Sequence, residues 1–342
     1  MRTIWLLLAG AVLANAQWVK QESGTTASLR GISAVSDTVV WASGSNGTAL
    51  RTTDSGKIWQ AIKVPGAEAL DFRAIRAFDG QAAFVMSVGS GDSSRIYKTS
   101  DGGGHWELVL QNKDPKGFFD AIAFWDRPRG IVMGDPVDGH IFVATTADGG
   151  MTWLPVDAAG IPAARAGEGA FAASGTCLAV GAGGLAWIAT GGTGGGRVYK
   201  SSDWGLNWKA VETPIRHDGD ASGIFSIAFR DAKHGVAVGG NYSKPAEDTD
   251  NSALTDDGGV TWRKAPSTPK GYRSAVAYIP RTDDIIATGT TGTDLSKDGG
   301  TSWVHVSGEA FNAMSFTGKT GWAVGPKGSI GGYSPTILSM IR

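Results

Sequence analysis

The sequence predicts an all-β repeat protein, and three observations carry that prediction. One motif, Ser/Thr-x-Asp-x-Gly-x-x-Trp, occurs six times: TTDSGKIW (52–59), TSDGGGHW (99–106), TADGGMTW (146–153), SSDWGLNW (201–208), TDDGGVTW (255–262) and SKDGGTSW (296–303). Its aspartates, Asp54, Asp101, Asp148, Asp203, Asp257 and Asp298, follow one another at steps of 47, 47, 55, 54 and 41 residues. Steps of that size mark a repeated supersecondary unit. Each copy also lies between two β-rich runs, as SRIYK and WELVL flank the second, so the motif is read as a hairpin turn.

Every motif position has a structural task. The Asp accepts backbone N–H bonds along the turn. The Gly supplies a positive φ, and the Ser/Thr hydroxyl closes a second local bond. The Trp opens the next strand and buries a large ring. The six aspartates are therefore read as structural.

This pattern closely resembles the Asp-box, or bacterial neuraminidase repeat, and the resemblance implies a β-propeller. A second repeat gives the blade count. It reads LRGIS (29–33), FRAIRAF (72–78), FDAIAF (119–124), GEGAFAA (167–173), IFSIAF (224–229), YRSAVAY (272–278) and FNAMSF (311–316). These runs are apolar and rich in small residues, as suits strands crowded around an axis. A second strand follows each, such as VVWASG or CLAVGA, and the box hairpin completes four strands. The seventh repeat has no box, so WVKQE (18–22), starting at Trp18, supplies its outer strand. The expectation is a seven-bladed β-propeller of four-stranded blades, one domain over residues 17–342, with closure hiding the sheet edges.

Residues 1–16, MRTIWLLLAGAVLANA, carry one Arg, a short apolar run and Ala14-Asn15-Ala16 before Gln17. That is a secretory signal peptide with its cleavage site, so a secreted or periplasmic protein is expected. The apolar run is too short for a membrane span. Cys177 is the single cysteine, which excludes an intramolecular disulfide and reads as a buried core thiol. The net charge of −1 gives no basic excess for a nucleic-acid partner. The sequence has no metal-ligand spacing and no phosphate-binding Gly-rich loop. No cofactor is expected, and the chain is read as a monomer.

The second position of the seven inner-strand runs holds Arg30, Arg73, Asp120, Glu168, Phe225, Arg273 and Asn312. Charge in otherwise apolar strands must be paired or reach water. These residues are expected at the axis mouth, on the face opposite the boxes. Asp135 and Asp138 of GDPVDGH and Tyr242 of NYSKPAEDTDN (241–251) stand in loops above them. Arginines in a concave site suit carboxylate or other anionic groups. The alternative is a closed ring in which Arg30 or Arg73 pairs with Asp120 and Glu168. The carboxylates of the 241–251 loop read as a solvated acidic loop.

Two families share the Asp-box propeller. Sialidases clamp a carboxylate with three arginines and use a Tyr–Glu nucleophile pair and an Asp acid. Arg30, Arg73, Arg273, Glu168 and Asp120 are the corresponding candidates, and FRAI around Arg73 is similar to the Phe-Arg-Ile-Pro signature. The Pro is absent, the arginines bunch on blades six, one and two, and the chain has seven blades where sialidases have six. The second family is the photosystem II stability/assembly-factor-like branch, exported seven-bladed propellers with TxDGGxxW boxes. GISAVSDTVVWASGSNGTALRTTDSGKIW and GWAVGPKGSI look very like that branch. In its photosynthetic members the propeller binds a membrane-protein client and carries an arginine-rich patch. The first reading is thus a non-catalytic binding or assembly factor for a protein client or anionic glycan. The second is a glycoside hydrolase using Asp120 and Glu168.

Overall fold

The structure is a computed structural model and describes residues 18–333; the signal peptide expected at 1–16 lies outside them. The described residues form seven antiparallel sheets of four strands each. Inner strands of consecutive blades touch, and the first touches the last, so the sheets close into a ring. This is the seven-bladed propeller that the repeats predict.

Blade one shows the pattern: Leu29–Ala34 at the axis, then Val40–Gly44, Thr48–Thr52 and Gln60–Lys63 outermost. Blade seven has Ala313–Thr317, Thr320–Val324 and Ile330–Tyr333, and Trp18–Gln21 completes it as the outer strand. Trp18 stands opposite Tyr333 in register and Gln21 opposite Ile330. The Trp18 ring is buried, meeting Phe311 and Tyr333 edge-on at 5.3 and 5.6 Å. Gln21 reaches the box of blade one, donating to Ser55 O at 3.1 Å and accepting from Trp59 Nε1 at 3.0 Å.

The core lies between blades. Phe84, Met86 and Ile96 of blade two meet Phe119, Ile122 and Trp153 of blade three in one cluster. Leu29, Val40 and Leu50 of blade one meet Trp322 and Ile330 of blade seven in another. No blade buries both faces by itself, which makes stability depend on neighbours.

The six boxes repeat one hydrogen-bond pattern. In the first, Thr52 Oγ1 donates to Asp54 Oδ1 at 2.7 Å and accepts from Gly56 N at 2.9 Å, while Ile58 N donates to Asp54 Oδ1 at 3.0 Å. In the fifth, Thr255, Asp257, Gly259 and Thr261 do the same. The box glycine is constrained twice. Gly103 has φ +91°, and a Cβ there would sit 2.5 Å from Ile62 Cγ2 of blade one. These turns satisfy the aspartates with local hydrogen bonds while leaving them open to solvent, as suits turn residues with a structural task.

Blade four departs from the expected strand assignment. Its sheet runs Leu178–Gly181, Leu185–Ala189, Arg197–Ser201 and Trp208–Glu212 from the axis outward. CLAVGA therefore contributes the inner strand, and GEGAFAA (167–173) precedes the blade. That segment continues across the axis as a plug, Ala170–Thr176. Its contacts reach four other blades: Ala170 N to Asp135 Oδ1 (2.9 Å), Arg73 Nη1 to Ala172 O (3.2 Å), Ser174 Oγ to Ser274 O (2.7 Å) and Thr176 Oγ1 with Ser226 Oγ (2.7 Å). Gly175 has φ +69°, and a Cβ there would lie 2.9 Å from Ala74 Cβ, so only glycine lets the plug press against blade two.

Trp18→Ala should destabilise the protein by about 3–5 kcal/mol, as for a large buried aromatic ring; urea denaturation measures this, and an unchanged midpoint would contradict the closure. The box carboxylates titrate low. Asp257 is held at about 2, first by the Thr261 hydroxyl and amide, and Asp101 and Asp148 are held low by their own turns. A depressed carboxylate stabilises above its unfolded pKa, and that stabilisation is lost as pH falls through the folded value. Melting temperature should thus fall steeply below about pH 4. In Asp257→Asn the neutral-pH value should be lower and the acid fall smaller. An acid profile identical to wild type would contradict this.

Candidate functional site

The side chains that enter the axis do so at one structural position. Inner strands of blades one, two, three and five each break register with the second strand, between Leu29 and Gly31, Phe72 and Ala74, Phe119 and Ala121, and Ile224 and Ser226. The residues left over are Arg30, Arg73, Asp120 and Phe225. A bulge re-aims a side chain and releases it from the ladder. Four bulges around one axis thus direct four side chains into one cavity on the face opposite the boxes. It measures about 430 Å³ and is lined also by Asp135, Phe171, Tyr242, Tyr272 and Asn312. The plug residues Ala170–Ala173 form part of its wall.

Arg30 has no hydrogen bond or ion pair to any described residue and is half-buried. Burial lowers its pKa, and the neighbouring Arg73 charge adds to this. Arg73 is held by Asp71, Nε to Oδ2 at 2.8 Å, and by Ala172 O. Two guanidinium groups therefore share one wall, with the nearest carboxylate, Asp71, bound to the second. The facing wall is aromatic. Phe171 stacks on Phe225 at 3.9 Å and 5°, and Tyr272 meets Phe225 edge-on at 4.8 Å. Tyr242, half exposed, closes over both phenylalanines edge-on at 6.3 and 6.1 Å.

Asp120 is buried, and neither carboxylate oxygen has a well-formed hydrogen bond. Burial and then the Asp135 charge push its pKa well up; Arg73 and the Ala172 and Asp135 amides pull the other way without reversing the shift. Asp135 is also raised by burial, offset by the Ala170 amide. Asn312 Nδ2 donates to Leu29 O at 2.9 Å, a strut between blades seven and one.

Three expected site residues are not in this cavity. Glu168 precedes blade four; its buried carboxylate is ion-paired with Arg197 and accepts from Thr190 Oγ1 at 2.7 Å and Arg165 N at 2.9 Å. It is not at the position of Arg73 because GEGAFAA is not the inner strand. Arg273 is one residue out of register. Counting from the box, where Ile285 pairs Ser296 as Ala83 pairs Thr99, the place equivalent to Arg73 is Ser274. Period-two alternation then turns Arg273 away. Its buried guanidinium binds Asp294, Nε to Oδ2 at 2.6 Å, with Thr291 Oγ1 at 2.6 Å. Asp138 stands exposed at a hairpin tip with φ +49°. The alternative closed ring, Arg30 or Arg73 with Asp120 and Glu168, does not form either: Glu168 pairs with Arg197 and Arg73 with Asp71, and among the described residues Asp120 has no ion-pair partner. In the blade-five loop Glu247 takes Arg216 at 2.7 Å and Asp250 takes Lys264. The aromatic wall was not singled out in the sequence; Phe225 at the repeat position was its available signal.

No protein-family model matches the sequence, and no curated protein matches it. Solved structures do. One described as YCF48 bound to D1 peptide has a TM-score of 0.65 at 17% identity, covering 92% of this chain and 96% of that one. YCF48 from Cyanidioschyzon merolae has a TM-score of 0.64 at 18% identity, with coverage of 93% and 99%. An ancestral GH74 enzyme has a TM-score of 0.65 at 15% identity, covering 92% of this chain but 46% of that one. The chain thus shares the β-propeller fold of these structures.

Asp120→Asn tests the charge state of the cavity. A carboxyl raised by burial contributes its stability below the unfolded pKa and loses it as pH rises toward the folded value. The variant should match wild type near about pH 4 and become the more stable of the two as pH rises to about 8. Thermal melts across that range decide it; a variant less stable at every pH would show that Asp120 is ionised and bound.

Proposed function

We propose that this protein is an exported binding propeller, acting as a monomer, whose bulge-face cavity takes an acidic segment of a partner protein. The observation that carries the proposal is Arg30. A half-buried guanidinium without a protein acceptor is desolvated at a cost that a ligand carboxylate offsets with two parallel hydrogen bonds. The Phe171, Phe225, Tyr242 and Tyr272 wall then takes an apolar or aromatic group beside that carboxylate. Tyr242 is exposed enough to form the lip. The YCF48 neighbour bound to D1 peptide supports a peptide ligand by analogy of fold, which does not fix function. The leader read in residues 1–16 supports action outside the cytoplasm.

A second reading rests on Asp120 and Asp135. Two carboxyls raised by burial in one cavity are candidates for general acid chemistry, and glycosidases work with such pairs. Glu168, held by Arg197, has no part in it. An anionic glycan is the ligand of this reading.

Calorimetry with peptides that pair a free carboxylate with an aromatic residue, and with acidic sugars, tests both. Peptide binding should weaken roughly tenfold or more in Arg30→Ala, a loss of about 1.4 kcal/mol or more, and should weaken with added salt. Binding equal in wild type and Arg30→Ala would overturn the proposal. Glycan turnover lost in Asp120→Asn and Asp135→Asn would establish the second reading instead.

A further inference from the structure

The plug divides the axial channel, and its other half is a separate cavity. This lower cavity measures about 590 Å³. Its mouth includes Asp126 and Arg127, in the turn between the first two strands of blade three. That turn accepts the blade-three box, Gly149 N to Pro128 O at 2.8 Å, so the cavity opens on the box face. Thr176 and Leu178 line its inner end, where the plug runs into blade four.

The walls mix apolar side chains with two hydroxyls, Ser33 and Thr176, and one guanidinium inside the mouth, Arg76. Phe78, Phe124, Trp125 and Phe229 line the sides. The charged residues at the mouth are already paired: Arg127 with Asp79, and Asp126 with Arg129, both at 2.5 Å. Arg76 is the exception. Its Nε donates to Ile122 O at 3.0 Å, which fixes the guanidinium plane. Its Nη atoms have no acceptor, and no carboxylate lies within salt-bridge range, among the described residues. Burial lowers its pKa; the Cys177 thiol offsets this in part, and no carboxylate does. Arg76 sits on the inner strand of blade two, three residues after the bulge; its Nε ties that strand to blade three, and its Nη groups take no part in the tie. The equivalent residues of blades one, three and four are Ser33, Ala123 and Ala179, from the same register count.

We propose that the lower cavity is a second ligand site, for a small free monocarboxylate with a compact apolar body, bound by Arg76. The volume is that of a small-molecule pocket, with apolar sides and a few polar groups of which Arg76 is the charged one inside the mouth. The guanidinium fork accepts one carboxylate bidentately. With Arg76 the one unpaired cation of the lining among the described residues, a phosphate dianion would keep a second, uncompensated charge away from bulk water, so a monoanion fits better. The aromatic sides match a ring or short alkyl chain. The plug closes the inner end, so the ligand enters and leaves by the box face and does not reach Arg30. This site is independent of the proposed peptide site.

The probes are 3-phenylpropionate and octanoate, with 3-phenylpropanol, octanol and inorganic phosphate as comparisons, measured by calorimetry on the full folded protein. Both carboxylates should bind. The alcohols and phosphate should bind roughly tenfold more weakly or not at all. A tripeptide ending in phenylalanine carries the same carboxylate on a longer body; tighter binding than the free acids would assign the site to a chain terminus and overturn the small-molecule proposal. Arg76→Met should lose roughly tenfold or more in carboxylate affinity while Lys209→Gln, an exposed charge loss, keeps it. Arg76→Met should also melt higher than wild type, because a guanidinium kept for a ligand is desolvated in the free protein, whereas a structural arginine would melt lower on removal. If that variant does not fold, a wild-type crystal soaked with 3-phenylpropionate replaces it. Its carboxylate should lie within hydrogen-bond distance of Arg76 Nη1 and Nη2. No binding, unchanged affinity in Arg76→Met, a lowered melting temperature, or a probe in the upper cavity alone would each overturn the proposal.

Discussion

Each blade of this protein is stable only between two neighbours, so the pairing of Trp18–Gln21 with Ile330–Tyr333 conditions everything else. That strand closes blade seven, and Gln21 ties it to the blade-one box. Closure holds seven inner strands in a circle too narrow for large side chains in regular register. Small residues such as Gly31, Ala74, Ala121 and Ser226 follow the bulges for that reason. On the face opposite the boxes, the charged or aromatic inner-strand residues that enter the axis do so where the strand is released from its ladder. The four bulges thus turn a repeated backbone irregularity into one cavity with two arginines, a buried carboxyl and an aromatic wall.

Much of the fold was legible in the sequence because the boxes are local. Thr52, Asp54, Gly56 and Ile58 satisfy one another within seven residues, so their pattern survives in the chain as text. Blade number and the Trp18 strand followed from counting repeats. Blade four was not legible. GEGAFAA has the small apolar composition of an inner strand, but Gly167 within it and Gly175 just after it both adopt positive φ, and the partners of the plug Ala170–Thr176 lie on four other blades. Composition does not distinguish a strand at the axis from a plug across it.

The site was legible in part for the same reason. Arg30, Arg73, Asp120, Asp135, Tyr242 and Asn312 are brought to one cavity. Arg273 was misplaced by a single residue, because YRSAVAY contains one residue more before the blade-six hairpin than its counterparts. Such a slip reverses the facing of a strand residue. Glu168 and Arg273 each found a buried partner, Arg197 and Asp294, far away in sequence and invisible to a position-by-position reading. The plug then separates Arg30 from Arg76, giving two guanidinium groups that face opposite ends of the channel.

The central claim is that bulge register, and not arginine content, decides which guanidinium groups reach a ligand in the upper cavity. Phenylglyoxal labelling of the native protein, followed by peptide mapping, measures this directly. Arg30 should be modified in the folded state and protected by a bound acidic peptide, while Arg197 and Arg273 should remain unmodified until the protein is denatured. Native labelling of Arg273 at the rate of Arg30, or an inert Arg30, would contradict it.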